Sequence, residues 1–157
     1  MKRVLLTLIL PFALAACGGA AAGYGGGAAQ GSPSGAATIS VASSSLGQIL
    51  VGANGKTLYL FEADTNTQST CSGACAQAWP PLTTTGAPKA GSGASASLLA
   101  TTTRSDGTIQ VTYSGHALYY FVSDTKAGDT NGEGSTAFGA GWDVLSPAGA
   151  KIEKSGS

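Results

Sequence analysis

The feature that most narrows what this chain can fold into is an internal duplication. Residues 49–65, ILVGANGKTLYLFEADT, align without a gap onto residues 109–125, IQVTYSGHALYYFVSDT, at a displacement of 60 positions. Ile, Val, Gly, Leu, Tyr, Phe, Asp and Thr coincide in the two copies. A Trp follows each copy, Trp79 and Trp142, and each Trp has a Leu three residues on, Leu82 and Leu145. So many ungapped identities mark one supersecondary unit present twice, and such a unit buries its apolar face only against a neighbour of its own kind.

Each copy reads as a β-hairpin. Asn54-Gly55 supplies the strongest short turn signal, because both central positions of such a turn need positive φ, and Ser114-Gly115 is a weaker version of it. The flanking segments are β-branched and aromatic. In the outgoing strands Leu58 and Leu60 oppose Tyr59 and Phe61, while Leu118, Tyr120 and Val122 oppose Tyr119 and Phe121. With both faces apolar, these strands are expected to be central and covered on both sides. An isolated two-stranded hairpin is marginal in water, so the fold class expected is mainly β: two pseudo-symmetric hairpin repeats, about 47–82 and about 107–146, packed into one small domain. Further short strands are expected at Thr38–Ala42 and Trp142–Leu145. Helix is expected only as a turn or two near Cys71–Trp79 and at Ser95–Leu99, with Thr83–Ser97 as a Gly/Ser/Ala-rich connector.

The N-terminus has its own logic. Lys2 and Arg3 precede an almost wholly apolar run, Val4 to Ala16, which ends Leu14-Ala15-Ala16-Cys17. A short basic start followed by roughly 7–15 apolar residues is a secretory signal. The run falls short of the about 20 residues that span a bilayer. The LAAC ending resembles the lipobox of bacterial lipoproteins, which implies cleavage after residue 16 and a diacylglyceryl group on the thiol of Cys17. Several acyl chains, at about 0.8 kcal/mol per buried CH2, then hold the protein stably on a membrane. Gly18 does not match the Asp that resembles an inner-membrane retention signal, so the outer membrane is the expected home where the host has one. Residues 18–37, with neither charge nor hydrophobic period, read as a flexible Gly/Ala tether spanning roughly 25 Å as a random coil. The expected organisation is therefore signal peptide 1–16, lipidated Cys17 and tether 17–37, and one β-rich domain 38–157.

Charge argues against some partners. Without Lys2 and Arg3 the chain carries two more acidic than basic residues, scattered along it. No basic patch exists, which excludes nucleic acid as an expected partner. The remaining candidates are the membrane, through the lipid, and an envelope polymer or protein.

At Tyr59-x-Phe61-x-x-Asp64 and Tyr119-x-Phe121-x-x-Asp124 the chain resembles the bacterial secreted lipoprotein repeats that carry a Tyr-x-aromatic-x-x-Asp pattern. Cys71-Ser72-Gly73-Ala74-Cys75 before Trp79-Pro80-Pro81-Leu82, and Gly128-Asp129-Thr130-Asn131-Gly132-Glu133-Gly134 before Trp142, are similar to that family too. The resemblance implies a secreted, lipid-anchored module in tandem copies, with no activity attached to the motif.

Read from the residues, the motif is structural. Tyr and Phe two apart share a strand face and form a core patch. The Asp falls just past the strand, where it caps a turn by accepting backbone N–H bonds. Cys71 and Cys75 are the two thiols left outside the cytoplasm once Cys17 is lipidated, and a disulfide is expected between them. One helical turn brings such residues about 6 Å apart, within disulfide reach. The alternative is a periplasmic copper or redox protein using Cys71, Cys75 and His116, since thiolates and imidazole suit copper. His116 is the only histidine and occupies the position of Lys56 in the other copy, which points to an exposed side chain beside the turn. Asp129, Asn131 and Glu133, with Gly134, resemble the first half of a calcium loop, but the position-twelve Glu would be Ala140. Either an ion or an internal hydrogen-bond net is expected to staple that loop as the disulfide staples the first. No cofactor other than the lipid is expected. With no triad, no nucleotide loop and no convergent titratable cluster, the expected role is a non-enzymatic binding or structural one.

Overall fold

Tyr59 and Tyr119 meet at the centre of the molecule. The Tyr59 N–H donates to the Tyr119 carbonyl at 2.9 Å, and the Tyr119 N–H donates back to the Tyr59 carbonyl at 3.0 Å. This reciprocal pair relates the two hairpin repeats, and everything else is arranged around it. The computed structural model describes residues 35–153; the signal peptide, Cys17 and nearly all of the tether lie outside the described residues.

In chain order the strands are β1 (Thr38–Ser44), β2 (Gly47–Val51), β3 (Tyr59–Phe61), β4 (Lys89–Ala90), β5 (Leu99–Thr103), β6 (Ile109–Tyr113), β7 (His116–Ala117) and β8 (Trp142–Val144). The α-helix is one turn and a half, α1 (Ala74–Ala78), and 3-10 turns occupy Ala53–Gly55, Ala96–Leu98 and Ala137–Gly139. β1 pairs antiparallel with β2 and parallel with β4, β5 pairs antiparallel with β6, which pairs with β7, and β3 pairs antiparallel with β8. The fold is mainly β, with helix where Gly and Thr thin out. Ordered contacts begin before residue 38: the Gly35 carbonyl accepts the Thr85 N–H, and Ala37 is buried.

The two turns divide the roles differently from their sequence signals. Ser114 (φ 51°) and Gly115 (φ 86°) form a two-residue loop between paired Tyr113 and His116. Asn54 (φ 58°) and Gly55 (φ 71°) also take positive φ, but Ala53 joins them. The loop is three residues wide, closed by the Gly52 N–H donating to the Lys56 carbonyl.

The alternation of the outgoing strands sorts their side chains into two clusters. Tyr59, Phe61, Tyr119, Trp79, Trp142 and the two cysteines lie in one, with Phe121 packed against it. Leu58, Leu60, Leu118, Leu82 and Leu145 lie in the other, with Tyr120 packed against it. The strands are thus covered on both faces, as their two-sided apolar pattern requires.

The outgoing segments pair across the repeats. β3 of the first repeat lies against β8, the Trp segment of the second, with Phe61 opposite Trp142 and Tyr59 opposite Val144. Residues 118–120 of the second repeat lie against Pro80–Leu82, the Trp segment of the first: the Tyr120 N–H donates to the Pro80 carbonyl and the Leu82 N–H to the Leu118 carbonyl. The second contact is only an isolated bridge, not a ladder. Beyond it the Val122 N–H still donates to the Ala78 carbonyl at 3.1 Å, but Pro80 has no N–H to return to the Tyr120 carbonyl, so the contact does not continue as a ladder. This is why the outgoing strand expected after Ser114-Gly115 shrinks to His116–Ala117.

Candidate functional site

The residues that the sequence singles out converge on the middle of the aromatic cluster, in a crossed arrangement. The Tyr59 hydroxyl donates to Asp124 Oδ2 at 2.6 Å, and the Tyr119 hydroxyl donates to Asp64 Oδ2 at 2.5 Å. Each tyrosine is bonded to the aspartate of the other repeat. Each aspartate uses its second oxygen to close its own loop. Asp64 Oδ1 accepts the Thr70 N–H and hydroxyl, both at 2.7 Å, and Asp124 Oδ1 accepts the Asn131 N–H at 2.9 Å. The expected turn-capping role of the aspartates is present. The reach of the tyrosines across to them has no signature within a single copy.

The rings follow the same crossing. Trp79 and Trp142 stack with centroids 3.9 Å apart and planes 5° from parallel. Phe121 stacks on the outer face of Trp79 at 4.2 Å and Phe61 on that of Trp142 at 4.1 Å. Four rings therefore form a column, each phenylalanine covering the other repeat's tryptophan. Tyr59 meets Trp79 edge-on at 5.3 Å, and Tyr119 meets Trp142 edge-on at 5.2 Å. Both tryptophans and both tyrosines are essentially inaccessible to solvent. Edge-to-face and offset-stacked pairs each contribute about 0.5–1.5 kcal/mol beyond area burial.

Burial sets the protonation of the pairs. It pushes the Tyr59 phenol far above its ordinary range, and the neighbouring Asp124 carboxylate adds to this. Tyr119 is raised in the same way, by burial first and by Asp64 second. Asp124 is raised by burial, against the lowering effect of the Tyr59 hydroxyl. Both phenols therefore stay neutral and serve as the donors of the two pairs.

Cys71 and Cys75 form a disulfide with Cα atoms 5.2 Å apart. Cys75 lies in α1, and both cysteines are buried in the aromatic cluster. The copper reading needs free thiolates; here the sulfurs are bonded to each other and shut away from solvent. His116 was expected to be exposed. It is half-buried at the start of β7, as is Lys56 in the other repeat, because the outgoing side of each hairpin lies against the rest of the molecule. The Lys56 Nζ shows the reason most directly: it donates to the Asp124 carbonyl of the other repeat at 2.9 Å.

Asp129, Asn131 and Glu133 point to separate tasks rather than to one centre. Asp129 Oδ2 accepts the Thr125 and Lys126 N–H groups, which hold its carboxyl below the usual range. Asn131 donates to the Ser123 carbonyl, and Glu133 Oε2 accepts the Val144 N–H at 2.7 Å. An internal hydrogen-bond net ties this loop. Among the described residues no three His, Cys, Asp or Glu side chains are grouped to hold a metal ion.

Sequence reading missed Arg104, which carries no motif. Its guanidinium is buried and donates to Ser69 Oγ at 2.5 Å, Gln110 Oε1 at 2.7 Å and the Cys71 carbonyl at 2.6 Å. Ser69 Oγ in turn lies 2.7 Å from the Tyr119 hydroxyl. A cation from the second repeat thus closes the disulfide loop of the first, beside one of the crossed pairs. The one available signal was that Arg104 is the only arginine after residue 3.

Away from this centre, an open groove of about 510 Å³ lies between Thr84–Pro88 and strands β5 and β6. Its lining, which includes Thr85, Pro88, Leu99, Thr101 and Ile109, contains no acid, amine, imidazole or thiol.

Neither the curated proteins nor the solved structures compared with the chain include a significant match. A family model described as a secreted repeat of unknown function matches twice, over residues 40–83 and 100–146. The two matches fall on the two crossed units and together cover more than half of the chain, so this protein belongs to that family of extracytoplasmic secreted repeats.

Proposed function

We propose that the protein is a lipid-anchored module of the cell envelope, with a binding or structural role rather than a catalytic one. The observation that carries this reading is the internal use of the motif. Tyr59, Tyr119, Asp64 and Asp124 spend their polar atoms on one another and on their own loops. A nucleophile or general base must instead present a free atom to a substrate within hydrogen-bond reach. The groove, with its lining of Thr, Ala, Gly, Pro, Leu and Ile, offers a surface for contact and no titratable chemistry. The lipobox ending at Cys17 supports anchoring, and the tether then leaves the domain free to meet an envelope polymer or protein partner.

Cell fractionation of the wild type beside Cys17→Ser tests the anchor. The wild type should stay with the membrane, and the variant should be released. Retention of Cys17→Ser in the membrane fraction would overturn the anchor. Incubation of the purified protein with ester, peptide and glycan substrates tests the rest. Turnover that disappears on replacing Asp64 or Asp124 would overturn the non-catalytic reading.

A further inference from the structure

The four oxidisable rings at the centre form an unbroken path. Running from Tyr59 through Trp79 and Trp142 to Tyr119, the successive centroid distances are 5.3, 3.9 and 5.2 Å. The two ends differ from the middle in one chemical respect. Each terminal phenol donates its proton to a carboxylate, Asp124 at 2.6 Å and Asp64 at 2.5 Å. In the middle, the Trp142 indole N–H donates to the carbonyl of Ala137 at 2.8 Å, and an amide carbonyl is a very weak base. A phenol that loses an electron becomes a strong acid and needs a base in place to take its proton. The carboxylates are placed for that, and the carbonyl at the indole is not.

We propose that this core is an electron-donating relay in which an electron lost from the Trp79–Trp142 stack is replaced from Tyr59 or Tyr119, with the phenolic proton passing to Asp124 or Asp64. The oxidant is an oxygen-derived one-electron species, such as the carbonate radical anion. It takes one electron from an indole and leaves an indole radical cation. The cation takes an electron from the phenol, and the phenol O–H bond breaks as the carboxylate accepts the proton. The net change is phenol, carboxylate and oxidant going to tyrosyl radical, carboxylic acid and reduced oxidant. Burial strengthens Asp124 as the acceptor, because it raises the carboxyl above its ordinary range. The same burial shields the radical from solvent. The relay places the oxidised site on hydrogen-bonded phenols and spares the indoles that hold the two repeats together.

Ultraviolet laser photoionisation of the full mature chain tests this, since Trp79 and Trp142 are the only tryptophans. The wild type should show an indole radical first and then a tyrosyl radical, at a rate independent of protein concentration and slower in D2O. The double variant Tyr59→Phe/Tyr119→Phe keeps the rings but removes the protons, and should lose the conversion. Each single variant keeps one pair and should lose part of the tyrosyl yield. In Asp64→Asn/Asp124→Asn, with near-UV circular dichroism confirming the native core, the conversion should slow. Two results would overturn the relay: an indole radical that decays in the wild type without forming a tyrosyl radical, or a conversion unchanged in folded Tyr59→Phe/Tyr119→Phe, which would place the donor at Tyr24, Tyr113 or Tyr120. Should the double variant not fold, the wild-type conversion and the single variants decide the question by themselves.

Discussion

Tyr59 and Tyr119 occupy matching positions, yet they are not equivalent. Asp124, the partner of Tyr59, is buried, whereas Asp64, the partner of Tyr119, is partly open to water and has Ser69 and Thr70 beside it. Removing one partner of a buried polar pair costs about 1–3 kcal/mol, because the remaining group has been desolvated with nothing in return. Tyr59→Phe should therefore lower stability within that range in chemical denaturation, and Tyr119→Phe should lower it less. Equal losses would mean that water reaches both aspartates alike. Gly132 makes a second point at this scale. A Cβ there would lie 2.6 Å from the Trp79 ring and 3.0 Å from Tyr59. Gly132→Ala should cost about 1–3 kcal/mol through overpacking, with loss of the near-UV signal of the Trp stack as its mark.

Asp143 gives a pH dependence of defined sign. It is buried, no donor among the described residues reaches its Oδ2, and burial with the nearby Glu62 carboxylate raises it above the ordinary carboxylate range. A group whose folded pKa is raised keeps its proton longer in the folded state. Its contribution is whole below the ordinary Asp range and is lost as pH rises through the folded value. Asp143→Asn cannot ionise, so it should flatten the fall in stability across weakly acidic pH and gain on the wild type towards neutrality. Denaturation midpoints measured over that interval check this, and parallel curves for the two proteins would count against it.

At the scale of elements, the disulfide secures a loop that otherwise has only a turn and a half of helix. Closing so short a loop is worth about 2 kcal/mol in the chain-entropy account, and Cys71→Ser/Cys75→Ser should lose that amount with the rest of the fold retained. A collapse of the whole domain would show that the bridge is needed for more than its own loop. Much of this level was legible in the sequence. Alternation told which face Tyr59 and Phe61 share, the Ser114-Gly115 pair gave the second hairpin, and the Cys spacing gave the bridge. Asn54-Gly55 gave a turn, but the segments on its two sides meet only at the Val51–Thr57 bridge before β2 and β3 enter different sheets. What was not legible came from partners distant in the chain. Nothing local to residues 116–122 says that their strand will be cut short; Pro80, some forty positions earlier, lacks the N–H that would answer the Tyr120 carbonyl. Nothing local to Arg104 says that it will cap the Cys71 carbonyl. Lys56 looked like a surface residue because its partner, the Asp124 carbonyl, belongs to the opposite repeat.

For the molecule as a whole, the crossing sets the unit of folding. The described residues, 35–153, belong to one compact unit. Each repeat keeps its own edge-on Tyr–Trp contact, but neither contains a crossed hydrogen bond or any pair of the stacked column. Residues 35–94 hold Tyr59 without Asp124 and Phe61 without Trp142; residues 95–157 hold the complements. Each piece expressed alone should lack the near-UV circular dichroism of packed tryptophan, and an equimolar mixture should regain it. A native signal from either piece alone would contradict the crossed architecture.

Reciprocal donation also imposes an arithmetic on any chain assembled from such pieces. A third copy appended to this protein would find every mate already taken, leaving one phenol, one carboxyl and one indole with nothing to bind inside the same chain. Copies of this build must accumulate in twos, or else recruit the missing half from a separate polypeptide.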